Sequence, residues 1–234
     1  MNKQKLMATI LASSLMVVSL VGCSNQESSS SANAQTVQTS SNQSSEAKTN
    51  GKVLVVYFTY AENANLPDNV DASTRASVQK VDGKITGNTA LVASQIQKDL
   101  NADIFSIQTV NKYPATYDET VNVGKQEQAE KARPELATKI DNIADYDTIF
   151  IGYPNWWGDM PMALYSFFEQ YDLSGKKIIP FSTSGGSGLS NTVDEIKQLE
   201  PNATVEGATT FSAQSTSDAK DEVSSWLKDI NYLQ

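Results

Sequence analysis

From residue 51 onward, unbroken apolar runs alternate with segments whose apolar positions recur at helical spacing. Val53-Leu54-Val55-Val56-Tyr57-Phe58 is continuous and rich in β-branched side chains, as expected of a parallel strand buried on both faces. Over Asn88 to Leu100, Val92, Ile96 and Leu100 share one helical face, and Gln95, Gln97, Lys98 and Asp99 lie off it. Ile104-Phe105-Ser106-Ile107 predicts a second strand. A polar helix is expected over Tyr117 to Leu136, although Gly124 and Pro134 are poor helix formers. Asp147 to Gly152 reads as a third strand, with Thr148-Ile149-Phe150-Ile151 at its centre. Met160 to Phe168 predicts a helix, Lys177 to Ser182 a fourth strand, and Ser190 to Leu199 a further helix. A weak fifth strand is expected over Thr204 to Ala208. The last helix, Ser217 to Ile230, packs through Val223, Trp226, Leu227 and Ile230.

Strands that alternate with helices pair in parallel, because each return needs a crossover. The pattern therefore predicts an α/β fold, a doubly wound five-stranded parallel sheet in one domain over residues 51–234. In such a sheet a ligand binds beyond the carboxyl ends of the strands, where the winding reverses. The loops after strands one, three and four are then the ones that matter.

The first 50 residues read differently. Lys3 and Lys5 precede an apolar stretch, Leu6 to Val18, and small residues lead to Leu20-Val21-Gly22-Cys23. This predicts a signal peptide over residues 1–22. Cys23 is the chain's single cysteine, so neither an intramolecular disulfide nor a thiol metal site can form. Its setting resembles the bacterial lipobox, in which the cysteine thiol accepts a diacylglycerol. Ser24 to Asn50 is nearly all Ser, Asn, Gln, Thr and Ala, too polar to form a core, so residues 23–50 read as a lipidated cysteine and a disordered tether. Its mean reach is about 30 Å. These features place the domain on the extracellular side of the cell membrane, lipid-anchored through Cys23.

The net charge is −9, and loss of Lys3 and Lys5 with the leader makes it −11. With no basic patch, nucleic acid is not an expected partner. The chain has no histidine, which removes the usual ligand or base of zinc hydrolases, Ser-His-Asp enzymes and haem proteins. No metal is expected.

After strand one comes Thr59, then a polar excursion from Tyr60 to Ile85, then Thr86-Gly87-Asn88-Thr89 at a helix start. A helix N-terminus offers unpaired N–H groups and partial positive charge, which suit a phosphate. Gly87 permits close approach, and the threonines add hydroxyl donors. An ordinary helix cap at Asn88 or Thr86 would use the same residues. Neither the Walker pattern nor the spaced glycines of a dinucleotide fold is present.

After strand three comes Tyr153-Pro154-Asn155-Trp156-Trp157-Gly158-Asp159-Met160-Pro161. Two adjacent indoles in a loop are costly to leave in water, and a flat aromatic ligand would use them. Covering the edge of the core is the plainer alternative. After strand four, Ser182-Thr183-Ser184-Gly185-Gly186-Ser187-Gly188 is flexible and rich in donors, able to lie against a ring edge or to serve as a linker.

Together, Tyr57-Phe58-Thr59 with Gly87-Asn88-Thr89, the Tyr153 to Met162 stretch and Pro180 to Gly188 resemble the flavodoxin family, most closely a branch whose phosphate loop is split by an insertion. Tyr113-Pro114-Ala115-Thr116-Tyr117 and Ala132-Arg133-Pro134-Glu135-Leu136 are similar to that branch too, without evident chemistry. The resemblance implies strand order 2-1-3-4-5 and an FMN cofactor. It implies that Thr59, Gly87, Asn88 and Thr89 hold the phosphate, that Pro154, Trp156 and Trp157 flank the ring, and that Asn155 is among the cofactor-binding residues. The Gly158-Asp159 peptide would turn its carbonyl toward the flavin as the ring gains a proton, favouring the one-electron-reduced state. Thr183, Ser184, Gly185 and Gly186 would line the pyrimidine edge.

On this reading the chain is an electron-transfer protein whose partners are redox proteins or a quinone, the flavin rather than the protein carrying the electrons. Two alternatives stay open. One is an FMN-dependent quinone or NAD(P)H oxidoreductase; the other is a flavin-free surface binding lipoprotein on the same fold.

Overall fold

The computed structural model describes residues 51–70 and 77–234. The expected leader, Cys23, the tether and residues 71–76 of the excursion lie outside the described residues. The run Val53–Phe58 forms strand β1, and it is flanked on both sides by parallel neighbours: β4 (Asp103–Ile107) and β5 (Thr148–Pro154). Beyond β5 lies β6 (Lys177–Ser184), which pairs with two short strands, β7 (Thr204–Val205) and β8 (Thr209–Ser212). Every pairing in this sheet is parallel, and the principal strands run in the order 2-1-3-4-5.

The fifth strand is in two pieces because the chain bends between them at Gly207, whose carbonyl accepts the Trp226 indole N–H at 2.9 Å. β7 follows the start of β6 and β8 follows its end, with the Glu206 N–H still bonded to the Ile178 carbonyl at 3.1 Å.

Alternation along the strands sends side chains to two cores. Val55 and Tyr57 of β1 and Phe150 of β5 face α2 (Asn88–Leu100) and α6 (Lys220–Asp229). Leu54, Val56 and Phe58, with Ile149, Ile151 and Tyr153, face the opposite side, where α4 (Met162–Gln170) and α5 (Thr192–Leu199) pack. The polar helix α3 (Tyr117–Glu130) joins this second face through Val123. It stops six residues before Leu136, with Lys131 in the left-handed conformation, because a helix cannot continue comfortably into Pro134.

Two described pieces of the excursion after β1 are regular. A single turn, α1 (Tyr60–Asn63), follows Thr59, and an antiparallel hairpin of β2 (Val78–Val81) and β3 (Lys84–Gly87) leads into α2. Asp82 and Gly83 both adopt positive φ at its tip, the geometry of a two-residue primed turn.

Candidate cofactor site

Thr59 leaves the carboxyl end of β1 and is fixed from below by Asn63. That fully buried side chain donates to the Thr59 and Ile107 carbonyls (2.9 and 3.0 Å) and accepts from the Thr109 N–H and hydroxyl (2.8 and 3.1 Å). The excursion then returns to the same spot. Gly87 ends β3 and caps α2, and a methyl group on it would lie 1.7 Å from Thr59 Oγ1. Only glycine fits, so Thr59 and the Gly87-Asn88-Thr89 turn form one surface across the whole insertion. The cap has no side-chain hydrogen bond. Thr89 Oγ1 is 2.9 Å from Thr183 Oγ1, which ties this turn to the end of β6.

The loop after β5 is bolted to the same strand. The Asn155 N–H donates to the Thr183 carbonyl at 2.9 Å, and its side-chain amide donates to the Gly188 carbonyl and Ser190 Oγ, each at 2.9 Å. Trp156 and Asp159 close a tight turn through reciprocal backbone bonds of 2.8 and 3.0 Å, with Trp157 and Gly158 both at positive φ between them. Asn155 Oδ1 accepts the Gly158 N–H at 3.0 Å. The Asp159 carboxylate accepts the Tyr165 hydroxyl at 2.9 and 3.0 Å, and Arg133 lies 5.0 Å over the Tyr165 ring while bonded to Glu169 at 2.6 Å. The Ala132 to Leu136 motif thus braces this turn from outside.

The two indoles play different parts. Trp156 is half-buried, edge-on to Phe58 and Tyr113, and lies against Gly124. That contact explains a glycine inside α3: a methyl group there would come within 3.1 Å of the Trp156 ring. Tyr113 in turn donates to Glu127 at 2.9 Å. Burial raises the Tyr113 hydroxyl and the Glu127 carboxyl above their ordinary ranges, and the Glu127 charge raises Tyr113 further. Trp157 is 53 % exposed, with its N–H 3.4 Å from the Val121 carbonyl and Lys125 5.3 Å over its ring.

Between these loops lies a cavity of about 370 Å³, within the usual range for small-molecule sites. Of the residues expected from the sequence, Pro154, Asn155, Trp156, Trp157, Thr183, Ser184 and Gly185 line it. Gly158, Asp159 and Gly186 belong to the same loops but are not among its described lining. Thr59, Asn88 and Thr89 are 1, 2 and 1 % exposed, and Gly87 is buried with them. The turn expected to hold a phosphate therefore adjoins the cavity through Thr183 rather than opening into it.

Sequence reasoning missed Tyr60, Ser77, Tyr117, Thr120, Val121, Gly124 and Ser187, which complete the wall. The Tyr113 to Tyr117 motif held the clue. The Pro114 carbonyl accepts both the Tyr60 hydroxyl (2.6 Å) and the Thr120 hydroxyl (2.9 Å), so that motif seats α1 and α3 at the rim. Among the described lining residues only Tyr60 and Tyr117 are titratable. These described residues can stack a flat ring and donate hydrogen bonds, and there is no carboxylate, amine or thiol among them.

Residues 81–230 match the family model described as Flavodoxin. Among solved structures, a candidate flavoprotein from Bacteroides uniformis ATCC 8492 is 28 % identical, covering 76 % of this chain and 98 % of that one, with a TM-score of 0.59. A second, from Bacteroides eggerthii DSM 20697, is 25 % identical over 74 % of this chain and 97 % of that one, at 0.54. A flavoprotein from Lactobacillus acidophilus NCFM, solved in complex with FMN, shares the fold at 18 % identity and a TM-score of 0.51, covering 73 % of this chain and 99 % of that one. No curated protein matches the sequence.

Proposed function

We propose that this chain, which belongs to the flavodoxin family, binds FMN at the carboxyl edge of its sheet and works as an electron-transfer protein. The observation that carries this reading is the convergence of three loops on Thr183. Thr89 reaches its hydroxyl at 2.9 Å and the Asn155 N–H its carbonyl at 2.9 Å, beside a cavity with an indole on its rim. The Lactobacillus acidophilus protein of the same fold was solved with FMN, which supports the choice of cofactor.

The residues fit the group. Thr59 and Thr89 supply hydroxyls, and α2 supplies an N-terminus without a side-chain cap, suited to a phosphate dianion. Because these residues are buried, the turn must open to admit it. Trp156, fixed edge-on against Phe58 and Tyr113, and the exposed Trp157 would flank the ring. Thr183, Ser184 and Gly185 would meet its polar edge. Bound FMN supplies the reversible electron chemistry. The chain contributes position, exclusion of water and a net negative charge that disfavours added negative charge on the ring. The Trp157-Gly158-Asp159 backbone, held by Asn155 and Tyr165, would be the part that adjusts when the ring takes up a proton.

We further propose that the phosphate loop is of the split kind, its halves being Thr59 and Gly87-Asn88-Thr89. The leader, the Leu20-Val21-Gly22-Cys23 sequence and the polar tether support export and lipidation at Cys23. The domain would then stand on the outer face of the membrane and exchange electrons with redox proteins or a quinone there.

Titration of the purified protein with FMN tests the reading. One equivalent bound, with quenching of indole emission, is expected; protein that stays colourless in excess FMN contradicts it and favours the flavin-free alternative. The exposed pair Trp157 (53 %) and Tyr117 (61 %) at the rim offers room for a second aromatic ring, which favours the oxidoreductase as runner-up. Sustained NADH-dependent turnover of a quinone would establish that alternative.

A further inference from the structure

Gln79 is a polar side chain of the inserted hairpin, 3 % exposed, and it points at the phosphate turn. Its side-chain amide donates to Asn88 Oδ1 at 2.7 Å, to the Ala213 carbonyl at 3.4 Å and to Thr216 Oγ1. The Thr216 hydroxyl donates in turn to Asn88 Oδ1 at 3.0 Å. The backbone agrees: the Asn88 N–H donates to the Ser77 carbonyl at 3.1 Å, so the hairpin ladder runs on into the first residue of α2. Three segments, the insertion, the start of α2 and the stretch after β8, therefore meet at one carboxamide.

Two donors on Asn88 Oδ1 fix which end of that amide faces Gln79 and send its nitrogen the other way. Gln79 itself is not among the described lining of the cavity. We infer that Gln79 is a positioning residue for the phosphate turn: it clamps Asn88 and so governs affinity for the phosphate end of the ligand, not for its ring. This deepens the proposed function and rests on it. It also assigns the insertion a task, because the hairpin is part of the scaffold of the site and not a detached flap.

The test compares FMN with riboflavin, which has the same ring and no phosphate, on the full chain by flavin fluorescence. Gln79→Met keeps the length and removes the donors. It should weaken FMN at least tenfold and change riboflavin less than twofold. Gln79→Glu should weaken FMN further, since a carboxylate would face the Asn88 and Ala213 oxygens and repel a phosphate. Equal losses for the two flavins, or none, overturn the inference. Should the Gln79 variants fail to fold, Thr216→Val carries the same comparison with an expected threefold effect on FMN alone. Hydrogen exchange on the flavin-free protein separates the two ways of failing. Gln79→Met should speed exchange of the Asn88 amide about tenfold, and unchanged exchange rules out the clamp whatever binds. Wild-type protein that binds neither flavin, while Asn88 exchange does respond, overturns the FMN reading and the phosphate role with it.

Discussion

The two ends of the candidate site are built on opposite plans. At the end proposed for the phosphate, Thr59, Gly87, Asn88 and Thr89 are buried, tied to Gln79, Thr183 and Thr216, and packed so closely that Gly87 has no room for a methyl group. At the indole end, Trp157 stands half in solvent, in a left-handed conformation that a bulky side chain resists by about 1–2 kcal/mol. It is held there by brackets from outside the turn, Asn155 on one side and Asp159–Tyr165 on the other. On the proposed reading a phosphate, whose charge is unchanged through a redox cycle, would be enclosed by donors that close around it, while a ring that gains protons and electrons would be met by a backbone that can turn over. The contrast pairs a closely packed anchor, which must open to take its ligand, with an adjustable wall.

The sharpest way to break this contrast is Gly87→Ala. The added methyl group must displace Thr59 or the chain, so we expect about 3 kcal/mol of destabilisation in denaturant melts and loss of FMN binding. Asn63→Ala comes next. It leaves the Thr59 and Ile107 carbonyls and the Thr109 N–H without their buried partner, at an expected cost of about 2 kcal/mol by the same measurement.

Trp157→Gly sharpens the comparison from the other end. Relief of the left-handed strain should leave stability unchanged or raise it by up to about 1 kcal/mol, while isothermal titration shows FMN bound roughly tenfold more weakly. Loss of stability comparable to that of Gly87→Ala would mean the two ends are not built differently.

The smallest effect on either turn is expected from Glu200, between α5 and β7 at the opposite edge of the sheet. Burial first, then the Asp172 charge, raises its carboxyl from 4.5 to about 7. A folded-state pKa above the unfolded one gives stability that is complete below about pH 4.5 and lost as pH rises through about 7. Thermal melts should show that decline, and Glu200→Gln should remove it without altering FMN affinity at fixed pH.

Much of this was legible in the residues, for physical reasons that differ by element. β1 is a run of buried-strand residues, and α2 begins and ends at Asn88 and Leu100 as the spacing predicts, because in both cases burial and local propensity agree. The hairpin was missed although Val-Gln-Lys-Val and Lys-Ile-Thr-Gly flank Asp82-Gly83, a turn signal that the polar composition of 60–85 obscured. Gly124 counted against α3, yet it is there to admit Trp156, a contact far apart in sequence. The indole pair was legible as a pair. Which ring anchors and which is exposed depends on Phe58, Tyr113 and Val121, and no local pattern carries that information.

The central claim is that one ligand spans both ends, and a crystal structure of the protein grown with FMN tests it most directly. The account predicts the phosphate against Thr59 and the Gly87-Asn88-Thr89 turn, with the ring beside Trp156 and Trp157. A phosphate seated elsewhere, with the 59–89 contact still shut, would contradict it.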